Sequence, residues 1–236
     1  MVPFERVAAL NWTRISSDLD AVGYATTCPL LGVEECEEIA NLYDSSLGVF
    51  RSTIEMSRYN FGSGQYRYFS YPLPSLVEEL RKSFYPPLSG IANDWAARLG
   101  LDTKWPDDHK EFVESCHRHN QRRPTPLLLS YNSGDYNCLH QDLYGEVFFP
   151  LQVVFMLSDP VTDFDGGELI VVETRPRMQS RASAINLSQG CAAIIPVRER
   201  PRKSNRGYHR VQSRHGVSTV GNGRRITLGI IFHDAL

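Results

Sequence analysis

Two periodicities divide the chain. In its first half apolar residues recur every three or four positions, the spacing of one helix face; beyond residue 125 they alternate, or run in short blocks between turns. Trp12, Ile15, Leu19 and Val22 predict an amphipathic helix over 11–24, closed by Gly23. A second helix is expected over 31–43, with Glu34 and Glu35 in its first turn, where the helix dipole favours acids. Residues 50–71 read as strand, rich in rings (Tyr59, Phe61, Tyr66, Tyr68, Phe69, Tyr71), with Gly62-Ser63-Gly64 as a flexible turn. Residues 75–99 are helical material that Pro86-Pro87 should break, and 106–120 a further helix. Short strands then follow at 127–131, 147–158, 168–173, 182–187, 192–197, 208–217 and 226–232, separated by Gly, Pro and Asp. That succession predicts an α+β fold whose jelly-roll (double-stranded β-helix) core is braced by N-terminal helices. The expected organisation is an extension over 1–124, helical and aromatic, packed on a core over 125–236 as one compact unit.

With 236 residues, 42% hydrophobic and 22% charged, the chain has the composition of a globular protein with an ample core. It contains no apolar run long enough for a transmembrane helix, and its first residues, Met1-Val2-Pro3-Phe4-Glu5, lack the apolar centre of a signal peptide. A cytoplasmic or nuclear location is expected. The 5 cysteines show no CxxC spacing and read as reduced thiols, with Cys138 a strand filler. The net charge of −2 hides a segregation: from Arg175 to Arg225 there are twelve Lys/Arg and one acid, Glu199, a balance of +11. Arg198, Arg200, Arg202, Lys203 and Arg206 fall in a stretch that reads as a mobile loop. Either it faces a polyanion such as nucleic acid, or it is a solvated surface with internal ion pairs.

The chemistry gathers around 131–142. His140 and Asp142 are two apart, so on an extended segment their side chains share a face and can offer an imidazole nitrogen and a carboxylate oxygen to one metal. Two histidines and one carboxylate with open positions suit non-haem Fe(II). Downstream, His215 precedes a Gly221-Asn222-Gly223 turn and then Arg225, a hairpin that would bring an imidazole and a guanidinium to one cavity. Arginine binds a carboxylate through two parallel hydrogen bonds. By contrast, His117 and His119, two apart on a helix, cannot share a face and are rejected as a metal pair.

Tyr131, His140-Gln141-Asp142, Phe164-Asp165-Gly166-Gly167-Glu168-Leu169, Gly190 to Ile195, His215-Gly216-Val217 and Arg225 together resemble the 2-oxoglutarate/Fe(II)-dependent dioxygenase superfamily, especially its prolyl-hydroxylase-like branch. The whole chain is similar to a group within it for which oxidative demethylation of damaged nucleic acid has been proposed. The resemblance implies Fe(II), 2-oxoglutarate and O2 as cofactor and cosubstrates, with iron held by His140, Asp142 and His215. His215 is preferred to His209 because Arg225 follows it at the superfamily's spacing; His233 is taken as structural. Arg225 would hold the C5 carboxylate, helped by Thr227 on the same strand face and by the Tyr131 hydroxyl, while Arg224 points away. A tyrosine that some relatives carry on the next strand has no counterpart, since Phe155 and Met156 stand there, and Gln152 is the substitute considered. Substrate contacts are expected from Asn137, Tyr144, Glu146 and Arg67, and Glu168 should stabilise its turn.

The implied reaction is oxidative decarboxylation of 2-oxoglutarate coupled to hydroxylation of a C–H bond. Three functions follow. The first is oxidative demethylation of methylated nucleic acid, suggested by the basic segment, the aromatic stretch and the resemblance. The second is protein or peptide hydroxylation of the prolyl type, suggested by the core motifs. The third is a non-catalytic jelly-roll binding module, disfavoured by the intact ligand set and Arg225.

Overall fold

The computed structural model describes residues 2–45, 47–175, 177–205 and 207–236, so Arg206 of the basic stretch lies outside the described residues. The helices are α1 (Pro3–Ala8), α2 (Trp12–Val22), α3 (Val33–Ser45), α4 (Ser75–Leu99) and α5 (His109–Arg118). α2 starts where the Asn11 side chain accepts from the Arg14 amide, and stops at Gly23 in the left-handed conformation. α5 starts on the Asp108 carboxylate, which accepts from the Lys110 and Glu111 amides.

The strands are β1 (Ala25–Thr26), β2 (Phe50–Glu55), β3 (Gly62–Ser63), β4 (Gln65–Phe69), β5 (Leu127–Asn132), β6 (Tyr136–His140) and β7 (Leu151–Met156), then β8 (Phe164–Gly166), β9 (Leu169–Thr174), β10 (Arg181–Ile185), β11 (Ala192–Pro196), β12 (Glu199–Ser204), β13 (Gly207–Val217) and β14 (Val220–Ile231). The larger sheet runs β1-β11-β7-β14-β5-β4-β2, with β8 on the start of β14; the smaller runs β10-β9-β13-β6-β3, with β12 on β13. The two antiparallel sheets face one another as a jelly roll. Strands from the first 124 residues join both sheets: β1, β2 and β4 the larger, β3 the smaller.

Alternation along the central strands sorts residues between two cores. Val153 and Phe155 on β7, with Ile226, Leu228 and Ile230 on β14, pack outward against Phe84, Tyr85 and Leu88 of α4. Val154 and Met156, one position off, turn inward with Tyr131, Leu169, Val171 and Val217. The inward positions of β14 are Arg225, Thr227 and Gly229, and these reach the space between the sheets. Among the described residues no helix is long and apolar enough to cross a membrane.

Three expectations need correction. α4 runs unbroken through Pro86 and Pro87. Each interior proline costs about 3 kcal/mol, but neither is buried, while their neighbours Phe84, Tyr85 and Leu88 are fully buried. At about 1.5–3 kcal/mol per buried side chain, packing along the whole helix outweighs the two breaks. Gly62-Ser63 is a strand on β6 rather than a flexible turn; Gly62 has φ 127°, and a Cβ there would lie 3.1 Å from the Asn137 Cα, so only glycine fits. The stretch expected as a mobile loop is β12, paired with β13 from Glu199↔Gln212 to Ser204↔Gly207. Its Arg200 is fully buried, with Nε 2.5 Å from Glu173 and Nη1 donating to the Asp20 carbonyl at 2.9 Å.

Candidate metal centre and cosubstrate cavity

His140 ends β6 and stands directly across from His215 on β13, so one cross-strand pair brings the two imidazoles together, ring centroids 4.3 Å apart. Asp142, just past the strand end, folds its carboxylate between them: Oδ1 lies 3.5 Å from His140 Nε2 and Oδ2 3.1 Å from His215 Nε2. All three donor atoms fall within 4.8 Å of one another. Nδ1 of His140 is 2.8 Å from the Cys138 carbonyl, which requires a proton on Nδ1 and leaves the Nε2 lone pair free. Two imidazole lone pairs and a carboxylate oxygen converging on one point fit a divalent iron-type ion.

Charge reinforces the cluster. Burial opposes a charged Asp142, yet His140 and His215 outweigh it and hold the carboxyl well below its ordinary range. Burial likewise works against a charged His140, but Asp142 prevails and raises its pKa; His215, buried and beside His140, is pushed down. Two further residues fix the carboxylate. The Tyr144 hydroxyl donates to Oδ1 at 2.7 Å, and the Gln152 amide donates to Oδ2 at 2.9 Å while lying 3.3 Å from His215 Nε2.

The cluster opens on a cavity of about 250 Å³ lined from both sheets. At its other end Arg225 is 1% exposed, and its Nε and Nη2 have no hydrogen-bond partner among the described residues. Nη1 reaches only the Thr227 hydroxyl, at 3.5 Å, and the guanidinium carbon lies 5.5 Å from the centre of the Tyr131 ring. Burial lowers its pKa to about 10, with Tyr131 and Glu168 acting in the opposite sense. The Tyr131 hydroxyl accepts from the Asn137 amide at 3.1 Å and keeps its own proton free to donate. Gly167, at φ 60°, makes room: a Cβ would stand 2.8 Å from Arg225 Cδ. Arg224 turns the other way, to Asp44 at 2.6 Å.

The structure brings His140, Asp142, His215, Tyr131, Asn137, Tyr144, Arg225 and Thr227 to this one cavity. It does not bring Glu146, which is exposed off the cavity, or Arg67. On β4 Arg67 is the odd member between Tyr66 and Tyr68, so it points to the opposite sheet face, where its guanidinium lies 4.3 Å over the Tyr43 ring and donates to the Tyr43 carbonyl. The basic stretch is also displaced from its expected place. Arg200 and Arg202 share Glu173, Arg210 faces Glu199 at 3.7 Å, and neither Arg198, Arg200, Arg202 nor Lys203 lines the cavity. Gln152, expected only as a substitute for the missing tyrosine, holds the Asp142 carboxylate; its signal in the sequence is a lone amide at an inward position of the apolar strand Leu151–Met156.

A family model described as "oxygenase, catalysing oxidative methylation of damaged DNA" matches residues 64–235. Uncharacterized proteins of two Mycobacterium tuberculosis strains, CDC 1551 and H37Rv, are each 48% identical over 167 residues, 71% of this chain and 72% of theirs. Among solved structures, a Pseudomonas putida prolyl-4-hydroxylase superposes with TM-score 0.54 at 11% identity, covering 95% of this chain and 99% of its own. A 2OG-Fe(II) oxygenase-family oxidoreductase of Burkholderia pseudomallei gives 0.56 at 14%, covering 96% and 94%. At such identities the likeness speaks for the fold. With the family match spanning most of its length, the chain belongs to this family of DNA-damage oxygenases, built on the jelly roll of the 2-oxoglutarate/Fe(II) enzymes.

Proposed function

We propose that this chain is an Fe(II)- and 2-oxoglutarate-dependent dioxygenase that hydroxylates the methyl C–H bond of a damaged nucleic-acid base. The observation that carries the reading is one cavity holding both the His140–Asp142–His215 cluster and a buried Arg225 without a carboxylate partner among the described residues. A guanidinium kept from water with no counter-charge is unfavourable until a ligand supplies one.

In this reading His140, Asp142 and His215 hold the iron and leave positions for cosubstrate and oxygen. Arg225 takes the distal carboxylate of 2-oxoglutarate through two charge-assisted hydrogen bonds, with the Thr227 and Tyr131 hydroxyls beside it. When bound, the iron and its cosubstrates supply oxidative decarboxylation to succinate and CO2, with one oxygen atom inserted into a C–H bond. Tyr144 and Gln152 keep the Asp142 carboxylate in its orientation. Leu127, Leu129, Val154 and Leu169 form a wall that excludes water. An N-methyl carbon so hydroxylated becomes a hemiaminal that loses formaldehyde, so the methyl group is removed. The nucleic-acid substrate is supported by the family's described activity.

The test is turnover of methylated single-stranded oligonucleotides with Fe(II), 2-oxoglutarate and O2. Succinate and formaldehyde should appear in equal amounts, and Asp142→Ala, folded by circular dichroism, should produce neither. Formaldehyde formation that survives Asp142→Ala, or no succinate with any metal-loaded preparation, refutes the proposal.

A further inference from the structure

Three of the 5 cysteines, Cys28, Cys36 and Cys191, remote from one another in sequence, gather at one edge of the larger sheet. There β1 pairs antiparallel with β11 through Ala25↔Ile194 and Thr26↔Ala193. The ladder continues one residue further: the Thr27 amide donates to the Ala192 carbonyl at 2.9 Å, and the Ala192 amide to the Thr27 hydroxyl oxygen at 3.0 Å. The next position in the same register sets Cys28 opposite Cys191. Pro29, which has no amide proton, follows, and the Leu30 and Leu31 amides both turn onto the Gly190 carbonyl, at 2.8 and 3.2 Å.

Residues opposite one another in an antiparallel ladder have Cα atoms about 4.5–5.5 Å apart and side chains on one face. A disulfide spans roughly 4.4–6.8 Å between Cα atoms, so this register suits one. The alternation agrees. Cys191 lies on the face of β11 that turns Ala193 and Ile195 into the inner core, and Tyr24, an even number of positions before Cys28, packs against that same core.

The three thiols differ in access. Cys28 is exposed, Cys191 is 7% exposed, and Cys36, near the start of α3, is fully buried. Burial pushes the Cys36 thiol up to about 11, and burial, with Cys28 close by, raises that of Cys191. A buried, protonated thiol is inert toward an oxidant in bulk water. Cys28 is therefore the sulfur that an oxidant meets first, and Cys191 the one placed to react with it next.

We propose that Cys28 and Cys191 are a reversible oxidation site, joined by hydrogen peroxide into a disulfide that staples β1 to β11. The Cys28 thiolate attacks one peroxide oxygen, the O–O bond breaks, and the products are a Cys28 sulfenic acid and hydroxide, which takes up a proton as water. The Cys191 sulfur then attacks the Cys28 sulfur, the S–O bond breaks, and a second water leaves with the Cys191 proton. Two thiols are oxidised by two electrons in all, and one peroxide is reduced to two waters. The bond ties the N-terminal helices to the strand beside β7, where Ile195 pairs with Gln152.

Thiol mapping of the full chain decides the matter, with the protein reduced and held in chelator so that no iron takes part. After a small molar excess of hydrogen peroxide, mass spectrometry of tryptic peptides should show one predominant disulfide, Cys28 to Cys191 within one chain. Cys36 and Cys116 should remain free thiols, and dithiothreitol should restore the pair. The cross-linked protein should melt roughly 4–16 °C above the reduced one, because the bond closes most of the chain into a loop. Cys28→Ser should leave Cys191 a free thiol under the same treatment, and Cys191→Ser should leave Cys28 as a sulfenic acid that dimedone labels. A disulfide of any other pair, a bond between two chains, or both thiols still free overturns the proposal. So does a cross-linked form that melts no higher than the reduced one, or a Cys191 oxidised in the Cys28→Ser protein. Should Cys191→Ser fail to fold, the wild-type map still decides.

Discussion

Replacing Arg225 by methionine should make the protein more stable and the cosubstrate site useless. Methionine fills similar space without charge, so the change isolates the guanidinium. The folded-state pKa of Arg225 falls from 12.5 to about 10 through burial. At 1.36 kcal/mol per unit, keeping the group charged in the fold is unfavourable by about 3 kcal/mol. The sign follows from the depressed folded value: below pH 10 the group is charged in both states and folding bears the whole penalty, which lifts only as pH rises through 10 toward 12.5. Against this, the variant loses the contact with the Tyr131 ring, about 0.5–1 kcal/mol. A net gain of about 2 kcal/mol should raise Tm by roughly 4–8 °C for a chain of this size. Two charge-assisted hydrogen bonds at about 1.5–3 kcal/mol each predict a loss of about 10² to 10⁴ in 2-oxoglutarate affinity. Differential scanning calorimetry of the metal-free proteins and isothermal titration with 2-oxoglutarate and Mn(II) give the two numbers. A methionine variant less stable than the wild type, or one binding 2-oxoglutarate within tenfold of it, would show that Arg225 is not a waiting, unpaired anchor.

Three other changes test the remaining assignments. Tyr144→Phe removes the donor to Asp142 Oδ1 and should weaken metal binding by about tenfold to a hundredfold in a Mn(II) or Zn(II) titration, the usual effect of losing a hydrogen bond to a ligand; unchanged affinity would show that Gln152 alone suffices. Arg200→Ala leaves Glu173, which is 4% exposed, with only the 3.4 Å contact to Arg202, and should destabilise the fold by about 2–4 kcal/mol in urea, below the full penalty of a stranded buried charge; a loss under about 1 kcal/mol would mean that the pair is not buried in solution. Burial, with Arg81 nearby, drives the pKa of His109 down to about 3, so between pH 6.5 and about 3 the unfolded chain binds a proton that the folded chain does not. Stability should therefore fall on acidification in that window, and His109→Gln should remove about 1.4 kcal/mol per pH unit of the slope; parallel wild-type and variant curves would refute it.

Local spacing along the chain is enough for the parts of the molecule that it controls. The period of Trp12, Ile15, Leu19 and Val22 gave α2, whose ends follow from Asn11 and Gly23. Period-two alternation gave most of the jelly-roll strands and separated Arg225 from Arg224 onto opposite faces, because adjacent residues on a strand cannot share one. The two halves of the metal cluster were each legible as short motifs. Tertiary structure decided what local spacing does not carry. Only the pairing of β6 with β13 sets His140 opposite His215 and supplies Tyr144 and Gln152 to Asp142. Pro86-Pro87 reads as a break, yet the sheet packed against α4 overrides it. Arg200 carries the charge of a surface residue, but Glu173 lies across the sheet and draws it inside, which removes it from any polyanion-facing loop. Arg67, expected among the substrate contacts, is one position off Tyr66 and Tyr68 and so lies over the Tyr43 ring on the opposite face, a placement that only the strand register supplies. Local periodicity fixes which residues share a face; which faces meet depends on pairings between segments remote in sequence, and the site is made where two such faces close.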